Sequence, residues 1–163
     1  MKKGTFIAIG NAHQPFPRFF NLIQDLKDQL PRPIVIQSGV NNISLDNCEV
    51  RSFLSITEFQ FLMNSSEVLI GHAGTGFIYN AIMASKKPFV MPRRFCYGEH
   101  VNDHQLELVA RLERMSLIFS LESISDYESR KIFNSNFCNS ERKREKPRIL
   151  ELLNRALIKN NWS

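Results

Sequence analysis

The 163-residue chain has the length of one ordinary domain, and its 43% hydrophobic and 23% charged residues are those of a soluble globular protein. No apolar run reaches the roughly 18–20 residues that a membrane-spanning helix needs. The net charge is +5, and residues 141–148 alone carry five basic and two acidic side chains, so the basicity is local. It suits a solvated loop or a docking surface for acidic lipid or protein, and no nucleic-acid partner is expected.

The start, Met1-Lys2-Lys3-Gly4 followed by Thr5 to Ile9, has too short an apolar core for a signal peptide and lacks a small-residue cleavage site. It reads as a first buried strand of a cytoplasmic protein. Cys48, Cys96 and Cys138 match no metal spacing and read as free thiols in a reducing compartment.

Thr5 to Ile9 is β-prone and stops at Gly10, and Asn11 to Pro15 is a loop. Phe16, Phe19, Phe20, Ile23, Leu26 and Leu30 recur at spacings of three and four, the stripe of an amphipathic helix that Pro31 and Pro33 end. Pro33 to Gly39 reads as a second strand and Cys48 to Leu54 as a third. Ser55 or Thr57 caps a helix to about Asn64, with Glu58 in its first turn. Val68 to Gly71 is a fourth strand, followed by a helix from about Gly76 to Ser85. Lys86 and Lys87 stand at that helix's C-terminus, where its dipole favours cations. Pro88 to Pro92 is a fifth strand. A helix from about Asn102 to Arg114, with Leu106, Val109, Leu112 and Met115 on its apolar side, precedes a sixth strand, Ser116 to Phe119.

Strands alternating with helices imply right-handed βαβ crossovers. The expected architecture is α/β: a Rossmann-like three-layer sandwich with a six-stranded, mostly parallel sheet in a single domain over residues 1–163. Its parts are a core at 4–120, an irregular basic segment at 121–147 and a C-terminal helix at 148–160 carried by Ile149, Leu150, Leu153, Ala156 and Leu157.

In such a sheet, ligands bind outside the carboxyl ends of the strands. Three polar loops leave on that edge: Gly10 to Gln14, His72 to Gly76, and Arg93 to Gln105. Ala73-Gly74-Thr75-Gly76 opens a helix, so its backbone amides can cradle a phosphate and the Thr75 hydroxyl can add a donor. Glycine-containing strand-to-helix turns are common, however, and alone establish only an anion-site pattern. Arg93, Arg94, His100, Asp103, His104 and Gln105 concentrate bidentate-capable groups, arginine suiting phosphate and Asp103 and Gln105 sugar hydroxyls. The plainer alternative is a solvent-exposed loop with Asp103 stabilising a helix dipole, and His13 and His72 as hydrogen-bonded loop histidines. His100 and His104 lack a third ligand at metal spacing, so no metal is expected. No P-loop, no Gly-x-Gly-x-x-Gly after the first strand and no Gly-x-Ser-x-Gly elbow occurs, which argues against P-loop enzymes, NAD binding and serine hydrolases.

Gly71-His72-Ala73-Gly74-Thr75-Gly76, Lys87-Pro88-Phe89-Val90-Met91-Pro92-Arg93 and Gly98-Glu99-His100-Val101-Asn102-Asp103-His104-Gln105 resemble the donor-binding half of family 28 glycosyltransferases. The start, Ile9-Gly10-Asn11-Ala12-His13-Gln14-Pro15-Phe16, is similar to a Gly-Thr-His-x-Gln-Pro-Phe element of its short, single-domain members, which act in bacterial capsule and exopolysaccharide synthesis and in the dolichol pathway. The likeness spans about residues 4–115. It implies one half of a GT-B enzyme: a catalytic subunit that binds a nucleotide sugar, UDP-linked, as substrate and needs no metal or cofactor. A membrane-associated partner would supply the acceptor-side half and bring the chain to the inner face of the membrane, where a lipid-linked saccharide is the acceptor.

By position, the resemblance puts Gly74 to Gly76 at the diphosphate and His104 and Gln105 at the donor sugar or phosphate. Gly10, Asn11, His13, His72, Thr75, Asn80, Arg93, His100 and Asp103 complete the implied binding set. The general base is expected on the partner, with His13 the weaker candidate here. Two departures stand out: Asn80 occupies the place of a ribose-binding glutamate, and Asn11 replaces a threonine. A non-catalytic accessory subunit is the alternative, and a stand-alone nucleotide-sugar enzyme such as an epimerase a third.

Overall fold

The computed structural model describes residues 4–122. Six strands, β1 (Thr5–Ala8), β2 (Ile34–Gln37), β3 (Glu49–Arg51), β4 (Val68–His72), β5 (Phe89–Met91) and β6 (Phe119–Ser120), form one sheet of order β3-β2-β1-β4-β5-β6. All five neighbouring pairs are parallel. Helices α1 (Pro17–Leu26), α2 (Ile56–Ser65), α3 (Thr75–Met83) and α4 (His104–Arg114) cover its two faces. The Rossmann-like fold expected from the alternation is thus present. The basic segment from residue 123 on, Cys138 and the expected C-terminal helix lie outside the described residues.

The central strand β1 is buried on both faces. Phe6 and Ala8 enter a cluster with Phe77, Ile78 and Ala81 of α3 and Leu108, Val109 and Leu112 of α4. Ile7 and Ile9 point the other way, to Phe16 and to Phe19, Phe20 and Ile23 of α1. Each fully buried side chain of this kind contributes roughly 1.5–3 kcal/mol, so two-sided burial outweighs local propensity and fixes register. Sheet order runs one way from β1 through β2 to β3, and the other way from β4 through β5 to β6. The reversal between β1 and β4 is the switch point where such sheets open a crevice.

Several boundaries differ from expectation for identifiable reasons. Ser55 caps α2: its Oγ accepts from the Glu58 amide (3.2 Å), while the Glu58 carboxylate accepts from the Ser55 amide (3.0 Å). The sixth strand begins later than Ser116 because residues 116–117 close α4. Ser116 takes a left-handed φ of 56°, its amide donates to the Glu113 carbonyl (2.8 Å), and the Leu117 amide donates to that of Leu112 (3.0 Å). Ser85 ends α3 in the same way, with φ of 60° and amide bonds from Ser85 to Ile82 O (2.9 Å) and from Lys86 to Ala81 O (2.9 Å).

Lys86, just past the end of α3, also serves a second helix: its Nζ donates to the carbonyls of Met63 (2.6 Å), Asn64 (2.6 Å) and Ser66 (2.5 Å), closing the C-terminus of α2. Among the described residues, no helix is long and apolar enough to cross a membrane.

Candidate functional site

Two loops meet at the switch point. β1 runs through buried Ile9 into Gly10, whose φ of +71° favours glycine. β4 ends at His72, and the imidazole fills the space between Gly10 and Gly74. A Cβ on Gly10 would stand 2.7 Å from His72 Cε1, and one on Gly74 would overlap His72 Nε2. Both glycines therefore make room for the ring, which also tilts against Phe77 at 6.3 Å between centroids. Among the described residues, His72 Nδ1 is buried without a partner in hydrogen-bonding geometry, although the Ala8 main chain lies near enough to the ring to favour its protonation slightly. Burial, then the nearby Arg93 charge, push the His72 pKa down to about 4, with His100 adding to the effect, so the ring is neutral at neutral pH.

Two residues on, α3 begins. Gly74 is its N-cap and supplies no side chain, and no acidic residue occupies the first turn. The first backbone bond runs from the Ile78 amide to the Gly74 carbonyl (3.1 Å), so helix geometry leaves the amides of Thr75, Gly76 and Phe77 without intrahelical partners. Gly76 is exposed, and a Cβ there would meet nothing within 4 Å. An open, uncapped, positively polarised helix end thus faces the crevice. One turn later, Asn80 Nδ2 donates to the Gly76 carbonyl (2.7 Å).

The loop after β5 is built around Arg93, and its expected role as a phosphate ligand needs correction. The side chain is 0% exposed and donates to the carbonyls of Gln14 (2.9 Å), Glu99 (3.0 Å) and Ile9 (3.3 Å). Its guanidinium lies 4.6 Å from the Phe16 ring centroid, and burial lowers its pKa from the ordinary value. Arg93 is a strut joining the loop after β1 to the loop after β5. Gln105 Oε1 accepts from the Arg93 amide (2.9 Å), which fixes the carboxamide and leaves its N–H groups as donors.

Asp103 stands at the N-cap of α4 without capping it, because its Oδ1 accepts from the Phe95 amide (2.8 Å). Asn102 Oδ1 takes the His104 amide instead (3.2 Å). His100 is half-buried, its Nδ1 receiving the Asn102 amide at 3.4 Å. His104, the first residue of α4, is exposed, as are Asn11 and His13 on the loop after β1. Gly10, His72 and Gly74 are therefore in mutual contact, and Arg93 and Gln105 are joined to each other. Asn11, His13 and Asp103 share only the sheet edge with them.

Three further residues escape sequence reasoning. Arg18 of α1 forks onto buried Glu99, with Nε to Oε1 at 3.0 Å and Nη2 to Oε2 at 2.8 Å. Glu122 bridges Arg18 Nη1 (2.8 Å) and Arg94 Nη2 (2.8 Å). Arg94, expected to face an anion, is held on that carboxylate. No local pattern marks these residues, since 81 positions separate Arg18 from Glu99. Among the described residues, no group of three His, Cys, Asp or Glu is placed to hold a metal ion.

The profile of the glycosyltransferase family 28 C-terminal domain matches residues 9–122. Among solved structures, the glycotransferase of kitacinnamycin superposes with a TM-score of 0.61 at 16% identity, over 97% of this chain and 40% of that one. MurG of Acinetobacter baumannii gives 0.57 at 14% identity, over 84% and 43%. The solution structure of ALG13 gives 0.52 at 19% identity, over 73% of this chain and 78% of that one. At these identities the likeness is one of fold, here one half of the GT-B architecture, and this chain spans about two fifths of the first two proteins. A search of curated proteins finds no match.

Proposed function

The chain belongs to the family of glycosyltransferase family 28 C-terminal domains, and from that premise we propose that it binds the donor of a UDP-sugar-dependent hexosyl transfer. The observation that carries this reading is the open N-terminus of α3 at the switch point, with no acidic residue in its first turn and free space before Gly76. A nucleoside diphosphate carries the charge such a helix end favours. As the glycosidic bond breaks, negative charge grows on the leaving diphosphate, and the amides of Thr75 and Gly76 would stabilise it. This mode of stabilisation needs no metal. Gln105, oriented by the Arg93 amide, offers donors to the sugar, and Asp103 and His104 lie on the same edge.

The acceptor hydroxyl must lose a proton to a general base. Among the described residues no carboxylate is hydrogen-bonded to exposed His13 to orient it for that task, so the reading puts the base on a membrane-associated acceptor-side subunit. The acceptor would be a lipid-linked precursor of a surface polysaccharide, met at the cytoplasmic face of the membrane. This half of the proposal rests on the resemblance of the Gly98 to Gln105 run to short two-component family members.

The test is a thermal melt and calorimetric titration of the full chain with UDP, UDP-hexoses and a purine diphosphate control. UDP should raise the melting temperature and bind with micromolar affinity. An unchanged melt at millimolar UDP would refute the donor site. A second reading, a non-catalytic accessory subunit, is favoured by Asn80, whose amide is spent on the Gly76 carbonyl where a ribose-binding carboxylate is expected. Transfer by the partner alone, undiminished by Gln105→Ala in this chain, would select it.

A further inference from the structure

We propose that Arg18 and Glu99 form a positioning pair that sets the 94–103 loop at the carboxyl edge of the sheet, so that α1 controls donor affinity without touching the donor. The inference rests on the donor-site reading for its functional consequence.

Glu99 is 2% exposed, and a carboxylate so deeply buried persists only where donors meet it. Three do: Arg18 Nε (3.0 Å), Arg18 Nη2 (2.8 Å) and the Arg94 amide (3.0 Å). The arginine fork fixes both distance and plane, which a lysine's point charge does not. Arg18 Nη2 also donates to the Pro92 carbonyl (2.8 Å), and Nη1 to Glu122 (2.8 Å). One guanidinium thereby joins α1, the end of β5, the loop and the residues just after β6. Tyr97 of the same loop lies against it, 5.3 Å from centroid to Arg18 Cζ.

The loop's main chain is held from its other side, because the Glu99 carbonyl accepts from Arg93. Arg93 also binds the carbonyls of Ile9 and Gln14 in the loop after β1. Glu99 thus stands where supports from two donor-edge loops converge, while Phe95, Tyr97 and Val101 around it are exposed.

A buried ion pair is a poor source of stability, since an apolar pair of equal volume commonly does as well or better. What it supplies is a single geometry. Here that geometry belongs to the loop between β5 and α4, which leaves the sheet at its carboxyl edge and carries Arg94, Tyr97 and His100.

The test uses the full chain and three variants, Arg18→Met, Arg18→Lys and Glu99→Gln, with Lys86→Met as a control that loses stability far from this loop. UDP affinity is measured by calorimetry well below each melting temperature, and amide exchange by mass spectrometry. Arg18→Met should weaken UDP binding by about tenfold or more, Arg18→Lys by less, while Lys86→Met binds as wild type despite a lower melting temperature. Exchange in residues 94–99 should quicken about tenfold in Arg18→Met and Glu99→Gln, with β1 and β4 unchanged. Unaltered exchange in the loop, or affinity that tracks melting temperature across all variants including Lys86→Met, would overturn the proposal. If wild type does not bind UDP, the donor reading fails, and the exchange measurement still decides whether the pair positions the loop. Should Arg18→Met not fold, Arg18→Lys carries both measurements.

Discussion

Replacing Gly76 by alanine should move stability and ligand affinity in opposite directions. A Cβ at this position meets no heavy atom within 4 Å, and the residue lies exposed in the first turn of α3. Alanine is favoured over glycine in a helix by roughly 0.5–1 kcal/mol, partly by restricting the unfolded chain. The low end applies near a terminus, so the melting temperature should rise by about 1–3 °C for a chain of this length. A diphosphate seated on the amides of Thr75 and Gly76 would meet the new methyl group directly. Losing one charge-assisted hydrogen bond costs about 1.5–3 kcal/mol, equivalent to about ten- to a hundredfold in the dissociation constant. Melting without ligand and titration with UDP measure the two effects on one preparation. A stabilised variant that binds UDP as well as wild type would refute the amide cradle, because no folding defect could be blamed. Gly74→Ala cannot make this distinction, since its Cβ collides with the His72 ring and disturbs the scaffold as well.

Further outcomes follow from particular contacts. Lys86→Met removes the donor shared by three carbonyls at the end of α2 and should cost about 1–3 kcal/mol, read by chemical denaturation. Ser85→Gly relieves a left-handed serine at the end of α3 and should stabilise by about 0.5–1 kcal/mol, seen as a raised denaturation midpoint at unchanged slope. His72 has a pKa of about 4 in the fold against an ordinary 6.5, so an unfolded chain takes up the proton first as pH falls. The stability due to its neutral form is complete above pH 6.5 and drains away towards pH 4, by up to about 3 kcal/mol. Denaturation midpoints across that range should flatten in His72→Asn, and an equal slope in the variant would exclude His72 as the titrating group. Asn80→Glu gives up the bond to Gly76 O but restores a carboxylate for ribose; UDP should bind severalfold tighter by calorimetry, and weaker binding would remove ribose from this position.

The repeating parts of the fold are legible because they rest on periodicity. Phe16, Phe19, Phe20 and Ile23 announce α1 by their spacing, and β1, β2, β4 and β5 are apolar runs with a glycine, proline or polar stop. Boundaries set by backbone closure are less visible: serine at 85 and 116 does the work usually signalled by glycine, so the last turns of α3 and α4 cannot be read from residue type. Long-range polar contacts are invisible. Lys86 stands at one helix end yet serves another, and nothing near Arg18 points to a carboxylate across the domain. Arg93 shows the limit from the opposite side. Its residue type advertises phosphate, but the side chain is fully buried, with both terminal nitrogens donating to main-chain carbonyls and the Phe16 ring against the guanidinium.

The glycines at the switch point divide along the same line between scaffold and site. Gly10 and Gly74 border the His72 ring, and side chains there would strike the imidazole. Their small size serves packing between β1 and β4, so glycine at both places is explained without any ligand. Gly76 has no such neighbour, and helix propensity would favour almost any other residue. A helix that keeps a costly glycine in its first turn, facing open space and beside uncapped amides, needs a reason outside the fold. Close approach of an anionic group to the backbone, as proposed for the donor, would supply that reason. On the proposed reading the anion would meet the amides at one helix end rather than the whole glycine-containing stretch, beside a histidine that is neutral at neutral pH. The loop after β5 is held by Arg93, Gln105 and the Arg18–Glu99 pair, and its placement depends on contacts that no segment of the sequence contains by itself.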